Sequence, residues 1–241
     1  MPTSITKNKF ITNILSNEYE KVRKTISRCP DIVHECIIDG RNPLHTAISQ
    51  KYTYIVKILL DSGADVNQRE SKGMRTVFEF NNNINVVFDG VTPLIKAISK
   101  GDCSIVTFNI VQILLEYGAN VNQCDSNNTS PLYLAIKGRN TQIAKLLLNY
   151  GADVNIYSYK NTSPLHLAAR NGNSQIVQAL LEHGATDTTA TDTTTPLYLA
   201  AARWANPLFI AKREAYTSII KMLIDYGADV NKCSICLENI H

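Results

Sequence analysis

The residues whose type and spacing come nearest to chemistry are Cys233 and Cys236, two thiols three positions apart, followed by His241. A Cys-x-x-Cys pair presents two thiolates to one side of a tetrahedral ion such as zinc, and imidazole is the other common ligand. Structural zinc needs four ligands and this stretch offers three, so neither a metal nor a cofactor is expected. His45 and His166 are the other candidates, as general bases. No carboxylate or metal-ligand set accompanies either, so a structural role is expected for both. Glycine-rich phosphate loops, HExxH, the nucleophile elbow and kinase signatures are all missing from the sequence, so no catalytic residue is assigned.

Composition narrows the classes further. The 241 residues carry a formal charge of +3 with 19% charged side chains, too mild a balance to argue for nucleic acid or a membrane surface. No apolar run approaches the roughly 20 residues that cross a bilayer, and the opening MPTSITKNKF lacks the apolar block of a secretory signal. Cys29, Cys36, Cys103 and Cys124 are scattered, as in a reducing compartment. Frequent Asn and Ile, both with A/T-rich codons, hint at a low-GC genome. The expected location is therefore the cytoplasm, or a host's cytoplasm if the source is an intracellular bacterium or a large DNA virus.

What must position any functional residue is a repeated element. Five openings share one plan: Asn42-Pro43-Leu44-His45, Thr92-Pro93-Leu94-Ile95, Ser130-Pro131-Leu132-Tyr133, Ser163-Pro164-Leu165-His166 and Thr195-Pro196-Leu197-Tyr198. Five closings end an apolar run on Gly-Ala, at Gly63, Gly118, Gly151, Gly184 and Gly227. A small polar residue before Pro is an N-cap followed by the one residue needing no N–H at the first helical position. Glycine after the apolar run supplies the left-handed residue that ends a second helix. Pro131 and Pro164 stand 33 apart, and Pro164 and Pro196 stand 32 apart. A period near 33 with T-P-L-H-x-A resembles the ankyrin repeat. That resemblance implies an all-α repeat solenoid of helix-turn-helix units with inter-repeat β-hairpins, in which each unit shelters the apolar face of its neighbour. It also implies that the His45 and His166 rings tie the cap to neighbouring backbone.

Departures from the period set the expected boundaries. Residues 1–36 read as an atypical N-terminal capping helix pair, 37–232 as five repeats forming one domain, and 233–241 as a short tail. Pro43 and Pro93 are 50 apart. The excess falls at 68–90, where two alternating runs, Thr76–Phe80 and Ile84–Phe88, flank three asparagines. Either an extended β-hairpin finger or a long loop with its aromatics folded back fits this pattern. A second insertion, 202–213, holds Trp204, the sole tryptophan. It reads either as an interface anchor or as a lid on the last repeat. The apolar face of Ile219, Ile220, Leu223 and Ile224 has no following repeat to cover it. Lys51 and Arg139 stand where glycine normally ends a first helix, and Lys96 occupies a usually apolar position.

Ankyrin repeats bind other proteins through hairpin tips and a concave face, and the resemblance carries that role to particular positions. The exposed ends of the first helices contribute Lys100, Lys137, Arg170 and Arg203, either a basic stripe for an acidic partner or ordinary solvated cations. The tip at Tyr157, Tyr159 and Lys160 is a candidate hot spot, as are Trp204 and the finger aromatics Phe78 and Phe80. The expected function is a non-catalytic protein–protein interaction module, with no nucleic acid or membrane partner. It is expected to be a monomer unless the uncovered last repeat self-associates. The rival reading starts from Cys233-Ser234-Ile235-Cys236, which resembles the opening of a RING finger and would make the chain an adaptor or a truncated ubiquitin ligase.

Overall fold

A computed structural model describes residues 3–34, 42–70, 76–79, 85–88, 90–99, 101, 103–158, 162–186, 195–206 and 212–230. Twelve α-helices and one strand pair lie among them. The chain divides into two compact units, Met1–Asn127 and Asn128–His241.

The first unit begins with α1 (Ser4–Leu15) and α2 (Tyr19–Arg28), followed by a single 3-10 turn, Pro30–Val33. Its two repeats are α3 (Pro43–Ser49) with α4 (Thr53–Asp61), and α5 (Pro93–Ile98) with α6 (Ile105–Glu116). First helices stack on first helices, α1 on α3 and α3 on α5; second helices follow the same rule, α2 on α4 and α4 on α6. The stacking buries Phe10, Ile14, Val22, Leu44, Leu59, Leu94 and Leu114 almost completely. No single helix pair could remove that much apolar surface from water alone, which is why each pair is held by the pairs stacked on it rather than by helix propensity. Between the two repeats, β1 (Thr76–Glu79) and β2 (Asn85–Phe88) pair antiparallel, with Thr76 opposite Phe88 and Glu79 opposite Asn85. α6 has 12 residues against nine in α4, so the extra residues before Ile110 lengthen the helix by about one turn.

The second unit contains α7 (Pro131–Lys137) with α8 (Thr141–Asn149), α9 (Pro164–Asn171) with α10 (Ser174–Glu182), and α11 (Pro196–Ala205) with α12 (Arg213–Asp225). α9 packs between α7 and α11, and α10 between α8 and α12. Leu147, Leu165, Ala168, Leu180 and Ala200 are sealed inside. The last face is divided. Ile219 and Leu223 are buried, whereas Ile224 remains 45% exposed.

The openings behave as their residue types dictate. The side-chain hydroxyls of Thr92, Ser130, Ser163 and Thr195 accept from the backbone N–H three residues on, at 3.2, 3.1, 3.3 and 3.0 Å. In the first repeat Asn42 substitutes, its Oδ1 accepting from both Leu44 and His45. At the closings, the Ala after each glycine donates to the carbonyl five residues back, as from Ala152 to Leu147 at 3.0 Å, and so satisfies a carbonyl the helix end would strand.

Where the first helix must turn into the second, the backbone enters the left-handed region in the first four repeats; after α11 in the fifth, Asn206 is extended at φ −78°. Glycine meets this at Gly101 (φ 60°) and Gly172 (φ 68°), but Lys51 (φ 60°) and Arg139 (φ 57°) hold it as non-glycine residues. The fold overrides the side chain's preference at a cost of about 1 kcal/mol at each.

Candidate functional site

Three of the cations expected to face a partner belong to the second unit, and all three sit in the last turn of a first helix: Lys137 on α7, Arg170 on α9 and Arg203 on α11. A cation there also interacts favourably with the negative end of the helix dipole. Lys137 and Arg170 are exposed and Arg203 is half-buried. Stacking brings the helix ends together, since Asn171 Nδ2 donates to the Ile136 carbonyl at 3.3 Å and Asn173 Nδ2 to Thr141 Oγ1 at 2.9 Å.

Arg203 and Trp204 are helical, because α11 runs for ten residues where α7 has seven; this part of the insertion extends a helix rather than forming a loop. Trp204 is 44% exposed, donates through Nε1 to Thr217 Oγ1 at 3.1 Å, and lies beneath the Arg213 guanidinium, 5.4 Å from the ring centroid. Tyr216, fully buried beside them, donates its hydroxyl to the Arg170 carbonyl at 3.2 Å. Burial raises the pKa of that hydroxyl, while Arg203 and Arg139 pull it back down. Tyr157 is half-buried, its carbonyl taken by Asn128 Nδ2 at 2.9 Å. Phe78 belongs to β1, described here by its backbone alone. Lys100, Tyr159, Lys160, Phe80 and the stretch with Cys233, Cys236 and His241 lie outside the described residues. Among the described residues no group of three His, Cys, Asp or Glu side chains is placed to hold a metal ion.

The first unit contains a polar cluster that sequence reasoning registered only as an oddity at Lys96. Lys96 is buried and its ammonium meets Glu70 Oε1 at 2.9 Å, the two side chains being 10% and 6% exposed. The Val91 carbonyl accepts from the Glu70 backbone at 3.0 Å and is also met by His45 Nε2 at 2.9 Å. Glu70 and Val91 bracket residues 71–90, so this cluster closes the base of the long excursion. A salt-bridge partner 26 residues away across an insertion leaves no periodic trace, which is why the pair was missed.

With Nε2–H donating to Val91, the His45 ring is neutral, and Nδ1 is buried with no hydrogen-bond partner among the described residues. Burial pushes its pKa from 6.5 down to about 4; Glu70 and the Val91 bond oppose the change, and Lys96 adds to it. The unfolded chain therefore binds the proton first as pH falls. His45 contributes stability that is fully present above pH 6.5 and is lost as pH drops toward 4. That span corresponds to about 3 kcal/mol. His45→Gln, whose amide can still donate to Val91, should show a shallower decline in urea-unfolding stability across this window than the parent. Equal slopes would remove His45 as the titrating group.

His166 uses its ring differently, with Nδ1 2.6 Å from the capping Ser163 hydroxyl. A further role missed in the sequence belongs to the Asn of the closing motif. Asn67 donates through Nδ2 to the Gly118 carbonyl at 3.2 Å and accepts from Asn120 N at 2.7 Å. Asn155 makes the same two contacts to Gly184 and Thr186. Its recurrence one residue after a buried or half-buried Val was the available signal.

The comparisons agree with this geometry. The family described as ankyrin repeats (3 copies) matches residues 72–158 and 157–234, and the single ankyrin repeat matches 39–71. The chain belongs to the ankyrin-repeat family, whose repeats are generally protein–protein interaction modules. An ankyrin repeat protein of Rickettsia bellii is 34% identical over 106 residues, covering 44% of this chain and 35% of that protein. Rabankyrin-5 of Mus musculus is 34% identical over 100 residues, 42% of this chain and 8% of the relative. A rice protein named as an E3 ubiquitin-protein ligase, XBOS32, is 26% identical over 134 residues, 55% of this chain and 23% of its own length. The match thus spans about a third or less of each relative. No helix among the described residues is long and apolar enough to cross a membrane.

Proposed function

We propose that this chain is a non-catalytic interaction module that holds a partner protein against the ends of its first helices, with Lys137, Arg170 and Arg203 steering an acidic surface into place. The observation that carries this reading is the stacking of α7, α9 and α11 with a cation in the last turn of each. Tyr157, Tyr159, Lys160 and Trp204 in the second unit are further partner contacts in this proposal, and Lys100 and the finger with Phe78 and Phe80 are the contacts offered by the first. The module works in the cytoplasm, or in a host's cytoplasm if the source is an intracellular bacterium or virus, as a monomer, without metal, cofactor or nucleic acid.

Charge reversal tests it. Lys137→Glu with Arg170→Glu changes two exposed side chains and should leave the melting temperature within a few degrees of the parent. Rim charges act mainly on association, so capture of the partner should fall about tenfold or more, most strongly at low salt. Unchanged capture would remove the cations from the interface.

The second reading, an adaptor or ligase fragment, draws on the Cys233–Cys236 spacing and on the name of the rice relative. Stoichiometric zinc in the purified chain, lost on Cys233→Ser, would favour it.

A further inference from the structure

We propose that the edge where α7, α9 and α11 end and α12 begins is a docking site for an acidic linear peptide. Arg139, Arg170 and Arg213 grip its carboxylates, and Trp204 supplies the apolar contact. The inference rests on the interaction-module reading and narrows it to one end of the second unit and one partner chemistry.

Four contacts gather the helix ends that carry these residues, and Arg139 lies near enough to the Tyr216 hydroxyl to act on it. The Ile136 carbonyl at the end of α7 accepts from Asn171, the Asn171 carbonyl accepts from Lys212 Nζ at 3.3 Å, the Arg170 carbonyl accepts from the Tyr216 hydroxyl, and Arg213 lies over Trp204. The beginning of α12 is thereby fastened to the ends of α9 and α11. Arg139, Arg170 and Arg213 are exposed, and none makes an ion pair with a described residue. The one acidic side chain in the first turn of α12 is Glu214. Cations gathered with so little opposing charge favour an anionic ligand, and guanidinium forks match carboxylates in bidentate geometry. An indole with an exposed face, held by its Nε1–H bond to Thr217, is a preorganised contact of the kind that dominates peptide interfaces.

Arg139 supplies a second, independent observation. Its φ of 57° is one that glycine adopts freely, and the corresponding position in the next repeat is Gly172 at φ 68°. A long cationic side chain stands in that strained backbone in place of glycine, near enough to the Tyr216 hydroxyl to act on it, on an edge that carries two further exposed cations.

That strain gives a variant in which folding and binding move in opposite directions. Arg139→Gly relieves the left-handed backbone, so it should melt at the same temperature as the parent or higher. Titrating the full chain with a decaglutamate peptide should change the emission of Trp204, the sole tryptophan, saturably, and a decaglutamine peptide should not. Arg139→Gly should weaken decaglutamate binding about tenfold, in line with loss of one charge-assisted bidentate contact. Parent-like affinity in Arg139→Gly, or no binding by emission and calorimetry together, overturns the proposal. So does binding of an oligothymidylate or of phosphatidylserine vesicles, through these arginines, in the absence of peptide binding. Partner capture that is lost on reversal of Lys137 and Arg170 yet indifferent to Arg139→Gly would overturn the peptide site and leave the module reading standing.

Discussion

Glu70→Ala is expected to destabilise the first unit by about 3–5 kcal/mol, because it takes the carboxylate away from the Lys96 ammonium in a site that water barely reaches. The parent pair is 2.9 Å apart, with Lys96 10% and Glu70 6% exposed. Lys96→Ala should cost a comparable amount by removing the ammonium that neutralises the buried carboxylate. Replacing both by Met removes the two desolvation penalties together, and this double variant should fall within about 2 kcal/mol of the parent or exceed it. Urea denaturation followed by circular dichroism measures all four, and adding the Glu70→Ala/Lys96→Ala double closes a cycle that gives the coupling directly. Single variants within about 1 kcal/mol of the parent would show the pair to be solvated. The pair's retention has a structural reading: Glu70 sits at the edge of the 20-residue excursion, and its backbone bond to Val91 and side-chain bond to Lys96 set where the chain leaves and re-enters the repeat.

Gly172→Ala is the second large effect. At φ 68° an alanine is strained by about 1 kcal/mol before any neighbour is considered. A Cβ there would also stand 2.8 Å from Tyr216 Cζ and 2.9 Å from its hydroxyl oxygen. Tyr216 is 1% exposed and cannot swing away without breaking its bond to the Arg170 carbonyl, so overpacking adds about 1–3 kcal/mol. A total near 2–4 kcal/mol is expected in thermal or urea unfolding of the second unit. In a Tyr216→Ala background the same substitution should cost only the backbone part, about 1 kcal/mol. An unchanged cost there would place the clash elsewhere.

These two sites show why some of the molecule could be read from its sequence and some could not. Helix starts at Thr92, Ser130, Ser163 and Thr195 were legible because capping is local: one hydroxyl, one proline and one N–H three residues on decide it. The apolar faces were legible because their 3.6-residue period survives in every copy. The Glu70–Lys96 pair was not, since its partners meet only after the insertion has folded. Left-handed backbone at Lys51 and Arg139 was legible only through the repeat, since both stand where glycine normally ends a first helix; neither residue type signals it, and the packing of one helix against the next imposes it. The extra residues before α12 were legible as an insertion but their conformation was not: Arg203 and Trp204 extend α11, beside buried Ala200 and with the indole bonded to Thr217. For the candidate surface, residue types and repeat positions were legible, but the convergence of Arg139, Lys212 and Arg213 on the same edge was not.

Photo-crosslinking from two positions tests the account's central claim, that a partner is held at the ends of the first helices. A photoreactive side chain is placed at Lys137, in the last turn of α7, and in a separate protein at Gln178, exposed on the second helix α10. The account predicts a covalent adduct with the captured partner from position 137 and none from 178. An adduct formed from 178 alone would contradict it.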